Sequence, residues 1–175
     1  LYERAGCIRG RPGTLTQLPI LTMPGDDIGH PIPDLTGYIT EGQIVLDREL
    51  DRRGIYPPIK VLPSLSRLMD SGIGEGYTDA DHPALAHQLF AAYARAMRVR
   101  TLASVMGEQG LPEADRKFLE FGSRFEELFV NQASSRTLEE SMATGWQVLR
   151  GLPHNELARL SDAQIKRYLE EPAHA

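Results

Sequence analysis

A single cysteine, Cys7, is all the sulfhydryl chemistry this 175-residue chain has, so no internal disulfide can staple it and a reducing compartment suits it. Long apolar runs are also missing. Stretches such as that around "LPILTM" run only a few residues, far short of the roughly 20 needed to span a bilayer, so membrane insertion is not expected. Basic excess is absent too: Lys and Arg number 19 against 24 Asp and Glu, for a net charge of −5 and a pI near 5.5. That balance has the wrong sign for nucleic-acid phosphates. No segment has the charged-then-apolar form of a signal peptide, and no repeat or low-complexity tract occurs. A G-x-x-x-x-G-K-[ST] phosphate cradle, a G-x-S-x-G elbow and a Cys/His pair are likewise not found. What remains is an ordinary globular composition, 41% apolar with a mean hydropathy of −0.31. The first residue is Leu1, and "LYERAG" reads as the tail of a helix already under way, so a piece of a longer chain is expected.

The punctuation changes near residue 77. Before it, glycine and proline recur between short apolar segments. "TLTQLPILTM" (14–23), bounded by Gly13 and Pro24, predicts a buried strand, and "YITEGQIVL" (38–46) predicts a second with Gly42 as a bulge. A short helical turn is expected around Pro33 to Gly37, and "DRELDRRG" predicts a two-turn helix closed by Gly54. Two strands cannot make an independent sheet, so this α/β part is incomplete.

After residue 77 the signals are helix starts. "TDAD" (78–81) has capping-box form ahead of Pro83, and Leu85, Leu89, Phe90, Tyr93 and Met97 follow at helical spacing. Leu102, Val105 and Met106 continue that stripe to Gly107. A second helix starts on Pro112 and carries Phe118, Phe121, Phe125 and Leu128. "TLEE" (137–140) and "SDAQ" (161–164) are capping boxes for two more. The fold class expected is α/β followed by all-α, with residues 1–76 as one domain and 77–175 as a helical bundle.

Few residues invite chemistry. "GIGEG" (72–76) lacks nucleotide-loop spacing and reads as a hinge. His82 and His87, five apart, cannot share a helix face. Asp27 and His30 could share a metal, but no third ligand has suitable spacing, and turn chemistry is the plainer reading. Arg67 is different. It lies near the end of "GIYPPIKVLPSLSRLMD" (54–70), an ordered connector stiffened by Pro57, Pro58 and Pro63. An arginine there is either a surface residue with a local partner or a planar fork presented to an anion with little ordering entropy left to lose.

The blocks "LPILTMPGDDIGHPIPDLTGYITEGQIVLDREL" and "GIYPPIKVLPSLSRLMD", followed by "DHPALAHQLFAAYA", "GEQGLPEADRKFLEF", "FVNQ", "TLEES" and "LPHNELARLS", resemble the B subunits of A/V-type (archaeal and vacuolar) ATP synthases/ATPases along essentially the whole chain. F-type β subunits and flagellar or type III export ATPases carry related "GIYP" and "S-R" segments and are the alternative. The resemblance implies the C-terminal end of a RecA-like nucleotide-binding domain (1–76) and a C-terminal helical domain (77–175). It implies a non-catalytic subunit alternating with catalytic A subunits in a hexameric ring around a central shaft that contains the D subunit. The complex would be peripheral on the cytoplasmic face of the membrane and would couple ATP turnover to proton or sodium transport. ATP/ADP with Mg would sit at the A–B interface, and no activity is expected of this chain alone. Arg67 matches the arginine finger extended into the neighbouring A subunit's site. Tyr56 matches an aromatic lining the base pocket, or else packs beside Pro57. Ser66 would stand at that interface and help to set the loop's path. The turn from Gly107 to Pro112 would face the shaft.

Overall fold

The computed structural model describes residues 2–170. They divide into two compact units. One runs through Gln43 and takes in Ser66–Leu68; the other holds Ile44–Leu65 and the chain from Met69 onward.

In the first unit, β1 (Gly6–Cys7) and β2 (Thr14–Leu15) pair antiparallel, Gly6 opposite Leu15 and Cys7 opposite Thr14. The strand expected over 14–23 stops there. Leu18 and Ile20 are 85% and 97% exposed, because a strand is held by neighbours on its ladder edges and the described residues offer this one only a two-residue partner. The second expected strand is also displaced. Tyr38 and Ile39 close a helix, α1 (Pro31–Ile39), and what remains of the strand is Gly42–Gln43 (β3) and a single bridge at Leu46. Pro31 at the first helical position and His30 at the N-cap explain α1: a proline there loses no hydrogen bond, and His30 Nδ1 accepts from the Ile32 N–H at 3.3 Å. Asp27 Oδ1 accepts from the Gly29 N–H at 2.8 Å, so both residues weighed as metal ligands serve the turn that leads into α1. The segment through β4 (Leu65–Ser66) runs beside β3, with the Arg67 N–H donating to the Glu41 carbonyl at 2.8 Å.

The second unit begins with α2 (Arg48–Arg52), capped by Asp47, and α3 (Met69–Gly72). Its core is helical. α4 (His82–Met106) buries Leu85, Leu89, Ala92, Tyr93, Ala96 and Val99 against Phe118 and Phe121 of α5 (Glu113–Arg124), and against Trp146, Val148 and Leu149 of α6 (Leu138–Leu149). Two glycines set how closely the helices meet. A Cβ on Gly122 would stand 3.0 Å from the Ala96 Cβ, and one on Gly145 3.0 Å from Leu89 Cδ1. After α5, one turn of π-helix (Phe125–Val130) continues the aromatic stripe, with Phe121, Phe125 and Phe129 stacked in sequence.

Both later capping boxes form as expected, Thr137 with Glu140 for α6 and Ser161 with Gln164 for α7 (Asp162–Ile165). "TDAD" does not form one. The Thr78 hydroxyl accepts from the Gly74 N–H at 2.7 Å, and the Asp81 carboxylate is drawn to the far end of the chain. There it accepts from Gln164 Nε2 at 2.6 Å and the Tyr168 hydroxyl at 2.7 Å. Those bonds and the Arg167 charge hold Asp81 below its usual carboxylate pKa. The apolar stripe of α4 also ends sooner than its sequence predicts: Leu102, Val105 and Met106 are exposed beside the Glu108–Gly110 turn, as is Phe90, which lies off the line through Leu89 and Tyr93.

Candidate functional site

Arg67 is exposed and held entirely by neutral acceptors. Its Nη2 donates to the Gly37 carbonyl at 2.8 Å, its Nη1 to the Thr40 carbonyl, and its backbone N–H to that of Glu41. All three acceptors belong to the last turn and exit of α1, where unsatisfied carbonyls carry a partial negative charge. Among the described residues no carboxylate pairs with it. The guanidinium therefore has a fixed place and an uncancelled charge, the two properties that suit it to an anion. Ser66, one residue earlier, is exposed at the end of β4.

The connector leading to Arg67 is ordered, as its prolines predict. The Asp47 N–H donates to the Pro58 carbonyl at 2.9 Å and the Lys60 N–H to that of Val45 at 2.8 Å, and Leu46 faces Ile59 in an antiparallel bridge. The hydroxyl that ties this loop is that of Ser64, which accepts from the Val45 N–H at 3.0 Å and donates to the Lys60 carbonyl at 2.6 Å. Lys60 also pairs with Asp47 at 3.0 Å. Burial pushes the Asp47 carboxyl up, but the Lys60 bond and the Glu49 N–H outweigh it and the pKa falls below its usual value.

Tyr56 belongs to the second unit. It is 68% exposed, while its backbone is gripped on both sides. The Tyr56 N–H donates to Asn131 Oδ1 at 2.9 Å, and the Tyr56 carbonyl accepts from the Gln132 N–H at 2.6 Å. "FVNQ" is thus the strip that holds this aromatic.

A buried acid links the same region to the helices. Glu126, 1% exposed, accepts from the Tyr93 hydroxyl at 2.8 Å, from Arg100 Nη1 and Nη2 at 2.7 and 3.2 Å, and from Arg53. Burial pushes its carboxyl up, yet the bonds from Arg100, Arg53 and Tyr93 win and the pKa lies below its usual value. The same surroundings push the Tyr93 hydroxyl well above the ordinary phenol range. The sequence held a signal for this hub. Glu126 follows Gly122 by four and precedes Phe129 by three, so a charge sits in phase with an apolar stripe. Among the described residues no group of three or more His, Cys, Asp or Glu is placed to hold a metal, and no helix is long and apolar enough to cross a membrane.

Comparison with known proteins agrees with this layout. Residues 1–66 match the nucleotide-binding domain of the ATP synthase alpha/beta family, and residues 71–169 match the C-terminal domain of V and A type ATP synthase. The chain is 63% identical over 170 residues to the B subunit of an A-type ATP synthase of Methanopyrus kandleri, covering 96% of this chain and 17% of that one. It is 59% identical to a V-type ATP synthase beta chain of Thermotoga neapolitana, covering 96% and 37%. The solved structure of the ATP synthase subunit NeqB from Nanoarcheaum equitans superposes with a TM-score of 0.77 at 41% identity, covering 87% of this chain and 38% of that one. The chain thus spans well under half the length of the relatives it matches. Its architecture is a portion of a nucleotide-binding domain followed by a helix-rich C-terminal domain, and the chain belongs to the family of V- and A-type ATP synthase subunits, with B subunits as its relatives.

Proposed function

We propose that these residues work within the non-catalytic B subunit of a rotary A/V-type ATP synthase/ATPase, and that Arg67 is an arginine finger offered to the ATP site of the adjacent catalytic A subunit. The observation that carries this reading is the state of the Arg67 guanidinium: exposed, positioned by the Gly37 and Thr40 carbonyls, and matched to no carboxylate among the described residues. A γ-phosphate developing charge during transfer is a stronger acceptor than either carbonyl, so the fork gains most in the transition state. ATP or ADP with Mg would lie at the A–B interface. To that ATP this chain would add the Arg67 charge and the nearby Ser66; the exposed Tyr56 ring would line a base pocket, and the metal ligands would come from elsewhere in the complex. Residues 1–76 would complete a RecA-like domain. Residues 77–175 would form the helical domain, whose Gly107–Pro112 tip faces the D subunit of the central shaft, coupling turnover to proton or sodium movement. The assembly would sit peripherally on the cytoplasmic face of the membrane.

The test is Arg67→Ala in the assembled complex carrying the full-length B protein. Expected is a loss of kcat on the order of a thousandfold or more with assembly retained and nucleotide affinity little changed. Arg67→Lys should restore little, since an ammonium keeps charge but loses the fork. An assembled Arg67→Ala complex that hydrolyses ATP at a near-normal steady rate rejects the assignment.

A further inference from the structure

We infer that Asn131 is a positioning residue for the nucleotide's base: its side-chain oxygen fixes the Tyr56 backbone so that the exposed ring is presented as a preset stacking face. The inference rests on the reading of Tyr56 as an aromatic of the base pocket.

Three observations carry it. First, Tyr56 is 68% exposed yet has a backbone with no free group, an arrangement in which the side chain is offered while its root cannot drift. Second, Asn131 is itself anchored. It closes the π-turn after α5, and its own N–H donates to the Glu126 carbonyl at 2.9 Å. Third, Glu126 also receives Arg53, three residues before Tyr56, while the Ile55 N–H donates to the Leu50 carbonyl at 3.0 Å and the Ile55 side chain is buried. Residues 126–132 therefore hold the 53–56 turn at both ends. An aromatic that stacks on a flat ligand gains from such fixing, because less motion is lost on binding. The atom facing the Tyr56 N–H must be an acceptor, as an amide N–H can only donate. That requirement sets the test, since aspartate keeps an oxygen there and alanine does not.

The experiment measures Mg-ADP and Mg-pyrophosphate binding to the assembled complex, with the full-length B protein carrying Tyr56→Ala, Asn131→Ala or Asn131→Asp. Pyrophosphate has no base and reports the phosphate subsite alone. Tyr56→Ala should weaken Mg-ADP about tenfold, the scale of one base–aromatic stack. Asn131→Ala should weaken it about three- to fivefold, the scale of one hydrogen bond. Asn131→Asp should bind like the parent, and pyrophosphate affinity should stay unchanged throughout. If Tyr56→Ala weakens Mg-ADP while Asn131→Ala does not, the positioning role is wrong and the Tyr56 reading survives. If Tyr56→Ala leaves Mg-ADP unchanged, that reading falls and the positioning role with it. Equal loss of Mg-ADP and pyrophosphate in Asn131→Ala, or an Asn131→Asp complex as weak as Asn131→Ala, also overturns the inference.

Discussion

Replacing Glu126 by glutamine probes the buried carboxylate of the helical unit. Hydrogen bonds to charged groups contribute about 1.5–3 kcal/mol each, so four of them taken separately would overstate the loss. The Arg53 and Arg100 side chains are 39% and 37% exposed, and each recovers water once the carboxylate is gone. The Tyr93 hydroxyl is buried and recovers much less. Glutamine keeps one acceptor but turns an NH2 toward a guanidinium that can only donate. Removing one partner of a buried pair costs about 3–5 kcal/mol, and the escape of two arginines to solvent places Glu126→Gln near the lower end, about 3 kcal/mol. Trp146, the single tryptophan, is buried with its ring 4.2 Å from that of Tyr168, so its fluorescence follows loss of the core. Urea unfolding of the chain read by that signal should show the drop. The exposed neighbour variant Glu127→Gln should stay within about 0.5 kcal/mol of the parent. If both variants unfold within about 1 kcal/mol of the parent, the scale of an ordinary substitution, the hub does not stabilise the fold.

Acid should weaken the same structure. Glu126, Asp47 and Asp81 have folded pKa values below their ordinary 4.5, 3.8 and 3.8. The unfolded chain therefore binds more protons in acid, and the stability they contribute is present above those ordinary values and lost as pH falls through the lower folded ones. The urea midpoint should be insensitive to these groups from about pH 7 to 5 and drop below about pH 4.5; an unchanged midpoint at about pH 3 contradicts the assignment. At the alkaline end, burial and the Asp81 bond push the Tyr168 hydroxyl up to about 12, so its contribution should fade as pH rises from about 10 to that value. Thr137→Ala removes the oxygen that accepts from the Glu140 N–H at 3.1 Å and should cost about 1 kcal/mol, while Thr137→Ser should retain most of it; equal midpoints for the alanine variant and the parent argue against the cap.

What the sequence made legible was local. Thr137 with Glu140 and Ser161 with Gln164 lie three residues apart, so spacing alone identified those caps. Asp81 misled because its partners, Gln164 and Tyr168, are more than 80 residues away, and no short window records such a bond. The apolar segment through Leu18 and Ile20 has strand composition, yet a strand exists only where another edge meets it. At the site, the prolines announced an ordered loop and the lone Arg67. The cradle beneath that arginine left no trace, since its acceptors are backbone carbonyls, which every residue carries. Ser64 rather than Ser66 ties the loop for a related reason: two serines flanking one leucine look alike until the Val45 N–H selects one.

The neutral cradle of Arg67 has a consequence for how readily that group can change partners. An arginine locked to a buried carboxylate must break an ion pair to reach a new anion, at about 3–5 kcal/mol. Arg67 instead leaves two carbonyls at an exposed helix end, where water takes over both bonds and no buried charge is left unpaired. The dipole of α1 still supplies enough attraction to keep the side chain from wandering. Arg67 can thus turn to an acceptor bearing a full charge without first breaking an ion pair. Its electrostatic reach extends about 8 Å at physiological ionic strength and contracts as salt is added, so attraction of any incoming anion should weaken with ionic strength while the resting geometry, built on uncharged acceptors, stays the same.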